Sequence, residues 1–285
     1  MKDFFFDTAN IDFIKSTMDK YGDDIKPSWV RGVTTNPNAF NKIKLTHLDE
    51  WIDHAYEMAE LISQIRGDQD GEVHIQAPYS FLEPESILEY AKIISGVTHG
   101  LCKVGMKIPP YQKVLEYVDE FNKYVLTNVT GLADSSTALK CCTYDVNYIS
   151  IIPGRMEEVG IDAKSAIAFV NQCNFGKTEI ITGSQRTTEQ IIYSFYLDTV
   201  PTIGEKCWND IFQGDNFKRI LNMEYGYEPV DLAVKDAPKS RVDKIKSFGN
   251  KLKKLGIEES DPFTSIGEAA NLELLGKEKG QPFAA

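Results

Sequence analysis

The chain has 285 residues, 42% of them hydrophobic, and a formal net charge of −11. That acidic balance disfavours an electrostatic nucleic-acid binder, which needs a surplus of Lys and Arg to displace counterions. No apolar run approaches the roughly 20 residues that cross a bilayer, and Asp7 and Asn10 come too early for a secretory signal's apolar stretch of about 7–15 residues. Five cysteines, an odd number without a CxxC pair, suggest a reducing, cytoplasmic setting and no zinc site.

Along the chain, short apolar runs alternate with amphipathic stretches. Residues 4–7 read as a strand and 11–21 as a helix, with Asn10 or Asp12 near its start. Residues 30–35 are the next strand. A long helix is predicted over 49–66, where Trp51, Ile52, Ala55, Met58, Ala59 and Ile62 recur at helical spacing. Strand 72–76, helix 84–94, strand 101–108 and helix 111–124 follow. The second half repeats the plan with strands at 125–130, 148–152, 179–182 and 199–203. Helices at 135–142, 162–173, 187–195 and 205–212 alternate with them.

Eight strand–helix units by about residue 213 predict a parallel sheet closed as a (β/α)8 TIM barrel, in the α/β class. An open doubly wound sheet has a similar periodicity and is the competing architecture. The barrel is assigned to residues 1–213. Residues 214–285 read as a helical, partly flexible C-terminal extension, with Ile245, Phe248, Leu252 and Leu255 forming one apolar stripe on an otherwise basic helix.

Side chains alternate faces along a strand. One parity collects Phe5 with Asp7; Gly32 with Thr34 and Asn36; His74 with Gln76; and Lys103, Gly105 and Lys107. Later strands add Asn128 and Thr130, Ser150 and Ile152, and Thr182 and Ser184. Polar residues thus gather at strand C-termini, where barrel enzymes build their active sites. Lys107 lies late in a buried strand, where a charged ammonium is costly unless paired or neutralised. Burial lowers a lysine pKa, and the free amine is the nucleophile that condenses with a carbonyl. Lys103, two rungs earlier, belongs to the opposite rim. His47, His54, His74 and His99 show no metal-ligand spacing, and His74 reads as a core histidine.

Six segments in order, FFFDTANI, GVTTNPN, KVGMKIP, TNVTGLADSSTAL, NYISIIPGRMEEVG and ITGSQRTTEQI, resemble the transaldolase family. The likeness is to its short bacterial and phage-type branch, together with fructose-6-phosphate aldolase. It covers residues 3 to about 212. The resemblance implies a cytoplasmic, homo-oligomeric enzyme of the pentose phosphate pathway that needs no cofactor or metal. Its partners would be sugar phosphates, with no nucleic acid or membrane. It would transfer a dihydroxyacetone unit from fructose 6-phosphate to erythrose 4-phosphate, with Lys107 attacking the donor ketone. Asp7 would be the acid/base on the C4 hydroxyl, and Thr130 and Gln76 would hold the catalytic water. Asn36 and Asn128 would hydrogen-bond substrate hydroxyls and the lysine nitrogen, and Ser150 would line the site. Ser184, Arg155 and Arg186 would bind phosphate, a role that suits the planar, permanently charged guanidinium. The extension would supply a helix to a subunit interface.

Two positions depart from the usual pattern. Gln76 stands where transaldolases carry Glu and the aldolase branch Gln; Ile152 stands where they carry Phe and Tyr respectively. Simple aldol cleavage, or silent phosphosugar binding, are therefore the alternatives to transfer.

Overall fold

The computed structural model describes residues 3–212 and 216, apart from 82, 175 and 177. The expectations for the extension 214–285, including the stripe from Ile245 to Leu255, lie outside the described residues except at 216.

Strand β1 (Phe4–Asp7) leads to α1 (Ile11–Tyr21), which starts where the Asn10 side chain accepts from the Phe13 N–H at 3.1 Å. A 3₁₀ turn at Pro27–Trp29 enters β2 (Val30–Thr34), followed by the short α2 (Pro37–Lys42) and long α3 (Leu48–Arg66). Next come β3 (Glu72–Gln76), α4 (Pro84–Val97) and β4 (Lys103–Ile108). Two single turns, α5 (Gln112–Leu115) and α6 (Val118–Phe121), precede β5 (Leu126–Leu132). The chain continues through α7 (Ser135–Cys141), β6 (Tyr148–Ile151), α8 (Pro153–Glu158), α9 (Ala163–Cys173) and β7 (Glu179–Thr182). It closes with α10 (Thr188–Tyr196), β8 (Val200–Gly204) and α11 (Glu205–Ile211).

The strands pair in sequence order, and β8 returns to β1 with Phe5 opposite Thr202 and Asp7 opposite Gly204. All pairs are parallel, so the fold is a (β/α)8 barrel with no free edge. No helix among the described residues is long and apolar enough to cross a membrane.

Strand parity follows the expectation on β1 but not on β7, where Ile181 faces the interior and Thr182 turns outward to Thr199 and Gln185, because Ser184 leaves the strand in a left-handed turn. Phe5 points into the barrel with Tyr148, Ile181 and Val200. Phe4 and Phe6 point outward and pack on Trp208 of α11, with ring centroids 5.3 and 4.9 Å away. The stretch 111–124 differs: it is two turns, not one helix. Tyr117, at φ −97° and ψ 4°, donates its N–H to Val114, three residues back, and so ends α5 before α6 begins. Val114, Leu115, Val118 and Phe121 are buried in this broken arrangement, so their spacing alone hides the break.

Gly32 sets how closely β2 and β3 approach. A Cβ at this position would sit 1.8 Å from the Glu72 carbonyl oxygen, a backbone atom that cannot swing away. Gly32→Ala is therefore expected to destabilise the barrel by about 3 kcal/mol or more. Urea unfolding would show this as a lower midpoint at unchanged slope.

Candidate active site

The predicted residues converge at the C-terminal ends of the strands. Lys107, on β4, has Gln76 of β3 and Asn128 of β5 as its register partners. Pro109 and Pro110 end the strand one residue further on, after Ile108, since neither offers a ladder N–H. The Lys107 side chain is buried, and its Nζ donates to Thr34 Oγ1 and to the Thr35 carbonyl, both at 3.2 Å. No carboxylate among the described residues pairs with it directly. Burial pulls its pKa below the ordinary lysine range, and the charge of Asp7 only partly opposes that. The chemical consequence is an amine whose unprotonated, nucleophilic form is favoured.

Asp7 ends β1, half-buried, and its Oδ2 accepts from Thr202 Oγ1 of β8 at 3.2 Å. Asn128 is buried and bonded on both sides. Its Nδ2 lies 2.9 Å from His74 Nδ1, and its Oδ1 accepts from Ser150 Oγ at 2.7 Å. Asn36 caps α2, its Oδ1 accepting from the Ala39 N–H at 3.0 Å, so its Nδ2 remains the group to offer a ligand. Gln76 is half-buried at the end of β3, and Thr130 is half-buried two residues before the end of β5. Thr130 precedes Gly131, whose φ of 86° marks the shift in β5–β6 register.

The rim groups are more open. Arg155 lies exposed in α8. Arg186 precedes α10, two residues before its first helical position, because Thr187 is the N-cap. The backbone N–H groups of Arg186 and Thr187 donate to Gln190 Oε1 within a capping box, so they are already used inside the chain. The Arg186 guanidinium bonds Glu158 and lies over Gly154, where a Cβ would be 2.9 Å from its Nε. Ser184 is exposed with φ 54°, in the left-handed region.

Lys103 sits at the opposite rim, exposed and paired with Asp70 at 2.9 Å. Thr34, Thr202 and Glu158 were not singled out from the sequence as site residues. Thr34 ends β2 opposite Asp7, Thr202 lies mid-β8 opposite Phe5, and Glu158 lies in the NYISIIPGRMEEVG segment. A separate cavity of about 580 Å³ between α1 and α3, lined by Asn10, Lys15, His54 and Glu57, contains none of these groups. Among the described residues, no cluster of three or more His, Cys, Asp or Glu is placed to hold a metal ion.

Comparison with known proteins identifies the family. Residues 4–266 match the family model described as transaldolase/fructose-6-phosphate aldolase. A protein of Geobacillus thermodenitrificans named probable transaldolase is 30% identical over 207 residues, covering 70% of this chain and 86% of the relative. Another so named, from Oceanobacillus iheyensis, is 26% identical over 206 residues, again 70% and 86%. A third, from Clostridium botulinum, is 28% identical over 192 residues, covering 66% of this chain and 78% of the relative. With a barrel of the expected topology and a match over most of its length, the chain belongs to the transaldolase/fructose-6-phosphate aldolase family.

Proposed function

We propose that this protein is a Schiff-base transaldolase that moves a dihydroxyacetone unit from fructose 6-phosphate to an aldose phosphate such as erythrose 4-phosphate. One observation carries the reading: Lys107 is buried without a direct carboxylate partner, which favours its free amine, at the C-terminal end of a barrel strand.

In this mechanism Lys107 Nζ attacks the C2 ketone, and the carbinolamine loses water to give an iminium. Gln76 and Thr130 hold that water; Gln76 cannot titrate, so it orients without taking a proton. Asp7 removes the C4 hydroxyl proton. The C3–C4 electron pair then moves toward the iminium, leaving an enamine on Lys107 and releasing glyceraldehyde 3-phosphate. The enamine carbon attacks the acceptor aldehyde, Asp7 returns the proton to the new hydroxyl, and hydrolysis frees a seven-carbon ketose phosphate. The Nδ2 of Asn36 is available to a substrate oxygen.

Arg186, with Arg155 and Ser184, receives the phosphate; its Nη1 donates to Glu158, which orients the guanidinium and leaves further N–H donors for the anion. Arg186→Ala is expected to lower kcat/KM for phosphorylated substrates by roughly one to two decades. Unphosphorylated dihydroxyacetone should lose far less as a donor; equal losses on both would remove Arg186 from the phosphate site.

Product analysis with fructose 6-phosphate, in the presence and absence of erythrose 4-phosphate, tests the reaction. Formation of the seven-carbon ketose phosphate only with acceptor supports transfer. Equal release of free dihydroxyacetone in both assays would identify a lyase.

A further inference from the structure

Beneath the proposed catalytic end, four side chains from β3, β5 and β6 form one line of hydrogen bonds through the barrel. Glu72, buried at the start of β3, takes up His74 Nε2 at 2.7 Å and the Tyr148 hydroxyl at 2.9 Å. His74 Nδ1 meets Asn128 Nδ2 at 2.9 Å, and Asn128 Oδ1 meets Ser150 Oγ at 2.7 Å. The His74 ring lies between Phe5 and Tyr148, with centroids 4.7 and 5.0 Å away. It also fills the space beside Gly105, where a Cβ would be 2.4 Å from the ring. The imidazole therefore cannot turn freely.

The chemistry of Glu72 and of the Asn128 carboxamide fixes the direction of each bond. Burial by itself would raise the pKa of Glu72, but the hydrogen bond from His74, with Arg31 and the Tyr148 hydroxyl, holds it below the usual range. As a carboxylate Glu72 only accepts, so His74 Nε2 and the Tyr148 hydroxyl must donate. Asn128 presents Nδ2 to His74 Nδ1, and since a carboxamide nitrogen only donates, Nδ1 accepts and carries no proton. The Asn128 oxygen is thereby turned to Ser150, whose hydroxyl donates. The Ser150 oxygen is left as an acceptor for the next donor.

We propose that Glu72 and His74 are positioning residues: together they select which end of the Asn128 carboxamide meets Ser150, and so present Ser150 as a hydrogen-bond acceptor to a substrate hydroxyl. Asn128 is the register partner of Lys107, so this polarity is set one strand from the proposed covalent centre. The inference rests on reading Lys107 as that centre. His74 is thus more than packing, although it touches no reacting atom.

Nitrogen NMR of the full chain, labelled at its four histidines, tests the polarity directly. Substituting His47, His54 and His99 in turn assigns His74 without disturbing it. At neutral pH the ring should carry its single proton on Nε2, and Glu72→Gln should shift that signature towards a mixture. In kinetics, Glu72→Gln and His74→Leu should each lower kcat/KM for transfer by about tenfold. In a Ser150→Ala background the same changes should cost less than about threefold, because the line is already cut. A proton on Nδ1, or a doubly protonated ring, would overturn the proposal, as would full additivity with Ser150→Ala. The NMR result needs no turnover. Absence of an adduct on Lys107 would therefore count against the transaldolase reading, and a wrong tautomer against this inference.

Discussion

Lys107→Met is expected to lower kcat for fructose 6-phosphate by at least about four decades, because no other group supplies the covalent amine. The same change is expected to make the protein harder to unfold at neutral pH. Burial holds the folded lysine pKa below its ordinary 10.5, so the unfolded chain takes up the proton more readily than the folded one. Wild-type stability therefore rises with pH between the lowered folded value and 10.5. Methionine has no such proton. The advantage of Lys107→Met should be full below the folded value and shrink as pH climbs toward 10.5. Urea midpoints for both proteins across the alkaline range check this. A gap that stays constant, or a less stable variant, would mean that burial is not what depresses the amine.

Asp7→Asn is expected to lose about two decades or more in kcat while keeping its fold. The amide oxygen can still accept from the Thr202 hydroxyl, which now holds Asp7 Oδ2 at 3.2 Å, so the packing of β1 against β8 survives. The substitution removes the group that takes the C4 proton, and also the charge that partly supports protonated Lys107. Carbon–carbon cleavage should therefore suffer much more than adduct formation. Rapid-quench measurement of both steps separates them. Retention of wild-type cleavage rates would assign the proton transfer to another group.

Much of this arrangement is readable from local pattern. Alternating strand and helix periodicities carry the barrel, and the period of two along each strand places Phe5 inside and Phe4 and Phe6 outside. It also places Lys107 on the same face as Lys103 yet at the other end, where Asp70 pairs with the latter. Short elements were harder to read. Neither α2 nor α8 is long enough to show a helical repeat, and no Gly or Pro marks the break at Tyr117. The remaining features depend on contacts between distant residues. Asp7 and Thr202 are 195 positions apart, His74 and Asn128 are 54 apart, and Arg186 and Glu158 are 28 apart. Closure of the barrel brings each pair together, and no local spacing encodes them. His74 illustrates the limit: sequence reasoning places it in the core, but its polar line to Ser150 requires the register of four strands.

The most direct measurement is borohydride reduction of the protein in the presence of fructose 6-phosphate, followed by mass mapping of the peptides. A reduced three-carbon adduct on the peptide carrying Lys107, absent in Lys107→Met and formed slowly in Asp7→Asn, is the predicted result. An unmodified Lys107 peptide in a protein that still turns over fructose 6-phosphate, or an adduct on another lysine, would contradict the assignment of Lys107 as the covalent centre.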